Sequence, residues 1–459
     1  MRSKQIFDSL QNKKIVILGF GREGVSSYRA IRAHFPAMPL TIADKNEQLV
    51  VSEIAEDHFV TIIKGEGYDQ NLNDYDLILK TPGVSLNHLE YFIPSEKISS
   101  QTDLFLKAYS AQVIGVTGTK GKSTTSSMIF HLLKESGKST LLAGNIGIPF
   151  FDIMDEIDDK TIVVAELSAH QLEHTRHAPH IAVLLNLYQE HLDHFKSFSD
   201  YQQAKMNIAR YQSPHDYLIY NADDAHITAL LHALDFERLY LPFSRQNKVE
   251  NGAYSSEEQI IIASKGEPIS SVDMKNYLNI PGKHNYYNAM AAILACKIAG
   301  ITDEQLLTHL PTFKGLEHRI EFVGKFRGIK FYNDSISTIP EATIAAINTV
   351  RDVDTLILGG FDRGIDYSEL LSFLQKNTIA NLVFTGPAGE RMLKEWQQQG
   401  TFQSHYIVEN DFEKIVNFAF QYTRSGKSCL LSPAAASYNQ FVNFEERGNI
   451  YKNIINNLK

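Results

Sequence analysis

The chain has 459 residues, more than a single hydrophobic core can organise, so two or three domains are expected. Apolar residues make up 43% and charged residues 21%, which excludes a disordered or fibrous chain. The net charge of −9 is spread without a polybasic stripe, so a nucleic-acid partner is not expected and an anionic ligand must be attracted by local groups.

The opening segment, 1–11, is polar and carries no secretory pattern. No apolar run approaches the roughly 20 residues of a membrane span. Cys296 and Cys429 lie far apart in apolar runs and read as buried thiols in a reducing compartment. A cytoplasmic, membrane-free monomer is expected.

Three blocks of alternating strands and helices follow, which argues for α/β architecture with parallel sheets. In the first, 1–99, strand-like runs are Lys14–Gly19, Leu40–Asp44, Val60–Ile63 and Asp76–Leu79. The turn Gly19-Phe-Gly21-Arg22-Glu-Gly24 follows the first of these, and Asp44 closes the second. This is a dinucleotide-type fingerprint: a diphosphate can lie on the helix start, and Asp44 can accept from a hydroxyl or a base N–H. A nucleotide sugar satisfies it as well as a nicotinamide does.

The second block, 100–314, has strand-like runs at Val113–Val116, Ser139–Leu142, Thr161–Ala165, Ile181–Leu185 and Tyr217–Tyr220. Between Arg238 and Ile280 only short strand-like pieces occur, read as a small antiparallel appendage, before a helix from Tyr286 to Ala299. Gly118-Thr119-Lys120-Gly121-Lys122-Ser123-Thr124 joins the first strand to a helix. Its N–H groups form an anion cradle, Lys122 reaches the terminal phosphates, and Ser123 can ligate Mg²⁺. Gly426-Lys-Ser428 precedes a strand and receives no such role. Glu166 and Ser168 end one strand; Asn186 to His194 follows the next. Strand adjacency puts both near the phosphates, so Glu166 and His191 are candidate metal groups. His174, His177 and His180 are read as exposed spacers. The third block, 315–459, has strands at Ile329–Tyr332, Thr355–Leu358, Asn381–Phe384 and Ser428–Leu431.

Together, Gly118–Ser123, Ala143-Gly-Asn145-Ile-Gly, Glu166–Glu173, Asn186–His194, Gly282–Ala289, Leu316–Glu321, Asn333–Ser335 and Leu431–Ser437 with Gln440–Gly448 resemble the Mur ligase family over essentially the whole chain, in its glutamate-adding branch. The resemblance implies a Rossmann-like N-terminal domain binding uridine diphosphate, a central ATP-binding domain, and a Rossmann-like C-terminal domain that closes over the site. It implies ATP and two Mg²⁺ ions, and amide formation between UDP-N-acetylmuramoyl-L-alanine and glutamate through an acyl phosphate. Gly21, Arg22, Asp44, Pro82, Gly83 and Asn145 would hold the uridine diphosphate. Asn288, Arg319 and Asp334 would hold the adenosine end of ATP. Lys205, from its residues alone an exposed helical lysine, matches one that is carbamylated and assists a second metal. Thr338, Arg363, Ser437 and Phe444 would face the amino acid.

Lys120, Ile336 and Arg363 stand where asparagine, lysine and lysine are common in this branch. A guanidinium grips a carboxylate in a planar fork that lysine cannot reproduce. D-glutamate is the family default, with L-glutamate as the alternative. A folate-type polyglutamate ligase is a further alternative, and the Gly19–Gly24 turn counts against it.

Overall fold

The aliphatic run Ile15–Leu18 is buried at all four positions, as a parallel strand covered on both faces must be. In the computed structural model, which describes every residue except 1, 50–53, 55, 90, 91, 234–237, 281, 378, 399–403, 439, 458 and 459, this run is β1 of a five-stranded sheet. The others are β2 Leu40–Asp44, β3 Val60–Lys64, β4 Leu77–Lys80 and β5 Ile98–Ser99, in the parallel order β3-β2-β1-β4-β5. The chain leaves β1 for β2 on one side and returns to β4 on the other. The crevice beyond the carboxyl ends of β1 and β4 is therefore a topological switch point, where ligands collect.

A second sheet repeats that logic. Its strands are β6 Val113–Thr117, β7 Thr140–Gly144, β8 Ile162–Glu166, β9 Ile181–Leu184 and β10 Tyr217–Asn221, with β6 between β9 and β8. The expected appendage continues this sheet. β11 Leu239–Ser244 and β12 Gly252–Ser256 join in parallel, and only β12, β13 Gln259–Ser264 and β14 Glu267–Asp273 pair antiparallel. The helix Asn285–Ile298 is buried without interruption from Ala289 to Cys296, which is why its sequence is apolar all round. Both sheets belong to one compact unit, Met1–Leu278 with Lys283–Phe313. They share an apolar core in which Phe105 stacks on Phe150 at 4.6 Å.

The second unit, Asn279–Gly282 with Lys314–Lys459, holds a six-stranded sheet. Its order is β15-β16-β20-β17-β18-β19, with β15 Glu321–Phe326, β16 Ile329–Asn333, β17 Val353–Gly359, β18 Asn381–Thr385, β19 His405–Val408 and β20 Ser428–Leu431. Only β15 runs antiparallel. Both edge strands were absent from the sequence expectation because neither is buried at any position and neither carries an aliphatic run. Among the described residues no helix is long and apolar enough to cross a membrane.

Candidate active site

At the first switch point the glycine fingerprint has three separate physical reasons. Gly19 has φ +89°, and a Cβ there would lie 2.1 Å from Thr81 Oγ1. A Cβ on Gly24 would lie 2.3 Å from the Gly19 carbonyl oxygen, so the helix Arg22–His34 could not approach β1. Gly21 has open space beside it. Beyond these residues lies a cavity of about 740 Å³ lined by Gly21, Arg22, Asp44, Pro82, Gly83 and Asn145, with Glu23, Gln171, Asp193 and His194 among its other walls. All six residues expected to hold uridine diphosphate thus meet in one place. Asp44 also braces the turn: its Oδ2 accepts the Phe20 N–H at 2.6 Å and its Oδ1 the Asn46 N–H at 2.8 Å.

The phosphate loop follows β6. Gly118 and Gly121 have φ of +155° and +86°, and Gly121 caps the helix Lys122–Glu135, on whose first turn Ser123 and Thr124 sit. Thr119 N–H donates to the Asn186 carbonyl and Lys120 N–H to Asn186 Oδ1, at 2.9 and 2.8 Å, so the loop is fixed by the run after β9. Lys122 Nζ donates to the Gly118 and Thr119 carbonyls at 3.0 and 3.1 Å. Lys205 Nζ donates to the same Gly118 carbonyl at 2.8 Å. Lys205 is 1% exposed, which overturns the reading from its residues alone as an exposed helical lysine. Burial, reinforced by the nearby charge of Lys122, holds its amine well below the usual lysine range.

Glu166, at the end of β8, is 1% exposed. Its Oε1 accepts Asn145 Nδ2 at 2.6 Å, while its buried Oε2 has no hydrogen-bond partner. A buried carboxylate oxygen left open is costly unless a cation or donor completes it. Ser168 instead caps the short helix Ala169–Leu172 in a reciprocal box with Gln171. His191 has φ +58°, a left-handed conformation that a non-glycine residue adopts only under constraint, and burial lowers its imidazole pKa. Its ring lies 4.7 Å from that of His170, which in turn lies 4.3 Å from His194. The run after β9 therefore spans both regions, since Asn186 and Tyr188 line the nucleotide side and Asp193 and His194 the first cavity.

The three histidines expected as exposed spacers are not idle. His177 pairs with Asp103 at 2.9 Å and His180 with Asp216 at 2.7 Å. His174 is mostly buried, and burial brings its pKa down to about 4. Asp103 and Asp216 are distant in sequence from their histidines, so spacing within 174–180 could not reveal them. Both cysteines are buried as expected.

A second cavity of about 660 Å³ adjoins the phosphate loop and is lined by Lys120, Gly121, Asn186, Asp223, Asp224, His284, Tyr287 and Asn288, among others. Asn288 is packed against the loop itself, since a Cβ on Gly121 would lie 2.4 Å from its Oδ1. Asp223 and Tyr287, not singled out in the sequence, bond to each other at 2.9 Å. The motif containing His284 and Asn288 was the available signal for Tyr287; Asp223 had none.

In the second unit Asp334 follows β16 and is 1% exposed. Its Oδ2 accepts Ser432 Oγ at 2.7 Å and its Oδ1 the Ile320 N–H at 3.1 Å. Burial nevertheless raises its pKa to about 6. Arg319 lies between His318 and Ile320, both with positive φ, +62° and +46°. The latter is a β-branched residue in a strained conformation, so the turn is held by its packing. An Arg363 Nη donates to the Thr338 carbonyl at 3.2 Å. Phe361 N–H donates to the Ala436 carbonyl at 2.8 Å, tying the Arg363 loop to that of Ser437. Ser335 Oγ donates to the Phe444 carbonyl at 2.8 Å. Of the four residues expected at the amino acid, Thr338, Arg363 and Ser437 are on loops at the carboxyl edge of one sheet, and Phe444 opens the helix Phe444–Asn457 that is bonded to them through Ser335. Arg447, within the stretch Gln440–Gly448 but without a signal in the sequence that marks it, anchors them. Arg447 is 1% exposed, its guanidinium donates to the Ser335, Ala435 and Ala436 carbonyls at 2.8–3.3 Å, and burial pulls its pKa down to about 10.

Residues 116–296 match the family described as Mur ligase middle domain, and 318–435 match the Mur ligase, glutamate ligase domain. The chain is 34% identical to a UDP-N-acetylmuramoylalanine–D-glutamate ligase of Acetivibrio thermocellus, covering 98% of this chain and 97% of that one. It is also 34% identical to the ligase of the same name from Clostridium botulinum, covering 98% of each. Among solved structures, a MurF of Acinetobacter baumannii superposes with TM-score 0.61 at 16% identity, covering 99% of this chain and 98% of that one. The UDP-N-acetylmuramate–alanine ligase MurC of Thermotoga maritima does so with 0.56 at 19%, covering 98% and 100%.

Proposed function

We propose the reaction of this protein from the premise that the chain belongs to the Mur ligase family of ATP-dependent ligases. The protein joins D-glutamate to the L-alanyl carboxylate of UDP-N-acetylmuramoyl-L-alanine, with ATP converted to ADP and phosphate. The supporting observation is the meeting, in one unit, of a diphosphate-sized cavity at the Gly19–Gly24 turn with a phosphate loop. The two are linked by the run after β9, whose Asn186 holds the phosphate loop and whose Asp193 and His194 line the cavity. A ligase acting on a folate would have no use for that turn.

The chemistry divides into two transfers. The substrate carboxylate attacks the γ-phosphorus of ATP, the bond to the β-phosphate oxygen breaks, and ADP leaves an acyl phosphate. The glutamate amine then attacks the acyl carbon and loses a proton, and inorganic phosphate departs from the tetrahedral intermediate. Neither step requires a covalent enzyme intermediate; both require positioning and neutralisation of charge. Lys122 supplies a cation to the transferred phosphoryl group, and Gly118–Thr124 cradle the phosphates. Asn288, Arg319 and Asp334 hold the adenosine end. Gly21, Arg22, Asp44, Pro82 and Gly83 hold the uridine diphosphate. In the second unit, Thr338, Arg363, Ser437 and Phe444 receive the amino acid, with Arg363 gripping a glutamate carboxylate.

Mg²⁺ fits the residues present. Glu166, at the end of β8, has an unpartnered buried oxygen; Ser123 sits on the first turn of the helix after the phosphate loop and His191 in the run after β9. Among the described residues no cluster of three or more His, Cys, Asp or Glu forms a protein-only cage. That composition suits an ion held by one or two protein groups and by phosphate oxygens. Lys205, as a carbamate formed when its neutral amine adds CO₂ and loses one proton, would become an anion and hold a second ion. When bound, the ions neutralise phosphate charge.

Phosphate release with ATP, Mg²⁺ and UDP-N-acetylmuramoyl-L-alanine tests this reading, with D-glutamate compared against L-glutamate. Release dependent on D-glutamate is expected. Preference for L-glutamate would overturn the assigned hand, and release with neither would overturn the reaction.

A further inference from the structure

The first cavity contains a carboxyl group that the reaction as described does not use. Glu23 follows Arg22 at the start of the helix Arg22–His34 and lines the cavity beside Gly21 and Gln171. Backbone N–H groups at that helix start favour an anion, and an ionised Glu23 would repel one. The surroundings of Glu23 bear on its charge. Its Oε1 accepts Gln171 Nε2 at 2.7 Å, whereas Oε2 is buried and has no hydrogen-bond partner. Arg22, on its own helix, and Lys80, at the end of β4, both favour the ionised form. Lys80, however, is committed to Glu173 at 3.0 Å. Burial outweighs the Gln171 hydrogen bond and both cations, and it raises the Glu23 pKa above the ordinary carboxylate range. A protonated carboxyl is a donor in search of an acceptor, and phosphate oxygens are strong acceptors.

We propose that Glu23 contacts the substrate, donating a hydrogen bond from its protonated carboxyl to a diphosphate oxygen, so that nucleoside diphosphate binding takes up a proton. The inference rests on the assignment of this cavity to the nucleotide sugar. The proton comes from solvent and adds to the Glu23 carboxylate; no bond in the ligand forms or breaks. A diphosphate nearby makes that proton harder to remove, so affinity falls as pH rises through the pKa of the free carboxyl. Asp44, His88, Asp193 and His194 also line the cavity, so the proton must be assigned by comparison with a variant.

The test is calorimetric titration of the full chain with UDP-N-acetylmuramoyl-L-alanine, whose diphosphate is a diester with no proton to lose near neutrality. Wild type, Glu23→Gln and Glu23→Ala are compared at about pH 5 and about pH 8 in two buffers of different ionisation heat. Wild type should take up part of a proton and bind several-fold more weakly at the higher pH. Glu23→Gln, whose amide donates at either pH, should match wild type at the lower pH, show less proton uptake and hold its affinity. Glu23→Ala should lose about tenfold at both. Equal proton uptake and equal pH dependence in wild type and Glu23→Gln would overturn the proposal, as would a loss in Glu23→Gln as large as in Glu23→Ala. Absence of wild-type binding would overturn the assignment of the cavity itself.

Discussion

Lys122 is the residue on which the proposed phosphoryl transfer depends most. Lys122→Ala should lower turnover by about 10²–10³, the usual loss on removing one preorganised charge-stabilising group, and leave the melting curve in place. Steady-state phosphate release beside thermal melting checks both parts. Arg363→Lys keeps the charge but gives up the planar fork, so KM for glutamate should rise several-fold with kcat less affected. An unchanged KM would remove Arg363 from the amino-acid site. Asp334 makes a pH-dependent prediction. Its folded pKa, about 6, lies above the ordinary 3.8, so the native state holds this proton more tightly than the unfolded state does. The resulting stability is complete below the lower value and is lost as pH rises through the higher. Asp334→Asn should therefore flatten the fall in melting temperature between about pH 4 and about pH 7, measured on each protein in matched buffers. Lys122, Glu166 and His191 were legible in the sequence because each follows a strand that periodicity marks. The burial of Lys205 was not, because it depends on a phosphate loop more than eighty positions earlier in the chain.

At the scale of elements, the first cavity depends on how closely a helix and a loop approach β1. Gly24→Ala would push a methyl group against the Gly19 carbonyl, where no flexible side chain can yield. A loss of roughly 1–3 kcal/mol is expected, with weaker substrate binding, from denaturant melts and calorimetry. A second tie joins β4 to the chain beyond Ala169–Leu172. Lys80 pairs with Glu173 at 3.0 Å, with side chains 2% and 15% exposed. Burial would raise the Glu173 pKa, but the hydrogen bond from His194 and the charge of Lys80 bring it down to about 2. Lys80→Met alone strands that carboxylate and should cost about 3–5 kcal/mol, more than Lys80→Met combined with Glu173→Leu. Most strands were readable as aliphatic runs, β1 and β9 above all, because both faces are covered. β15 and β19 were not readable, since edge strands facing solvent need no such run.

For the whole molecule, the sequence blocks mark three sheets, yet the first two share one apolar core around Phe105 and Phe150. That sharing is a property of tertiary packing and leaves no local signal. The first unit carries the proposed diphosphate, phosphate-loop and metal residues, and the second carries those proposed for the amino acid. In the proposed reaction the energy of ATP enters the amide through an acyl phosphate. That step is tested most directly by supplying UDP-N-acetylmuramoyl-L-alanine with heavy oxygen in its L-alanyl carboxylate and following the label by mass spectrometry. One labelled oxygen should appear in inorganic phosphate for each amide formed, with ADP in equal amount. Amide formation with unlabelled phosphate would rule the acyl phosphate out.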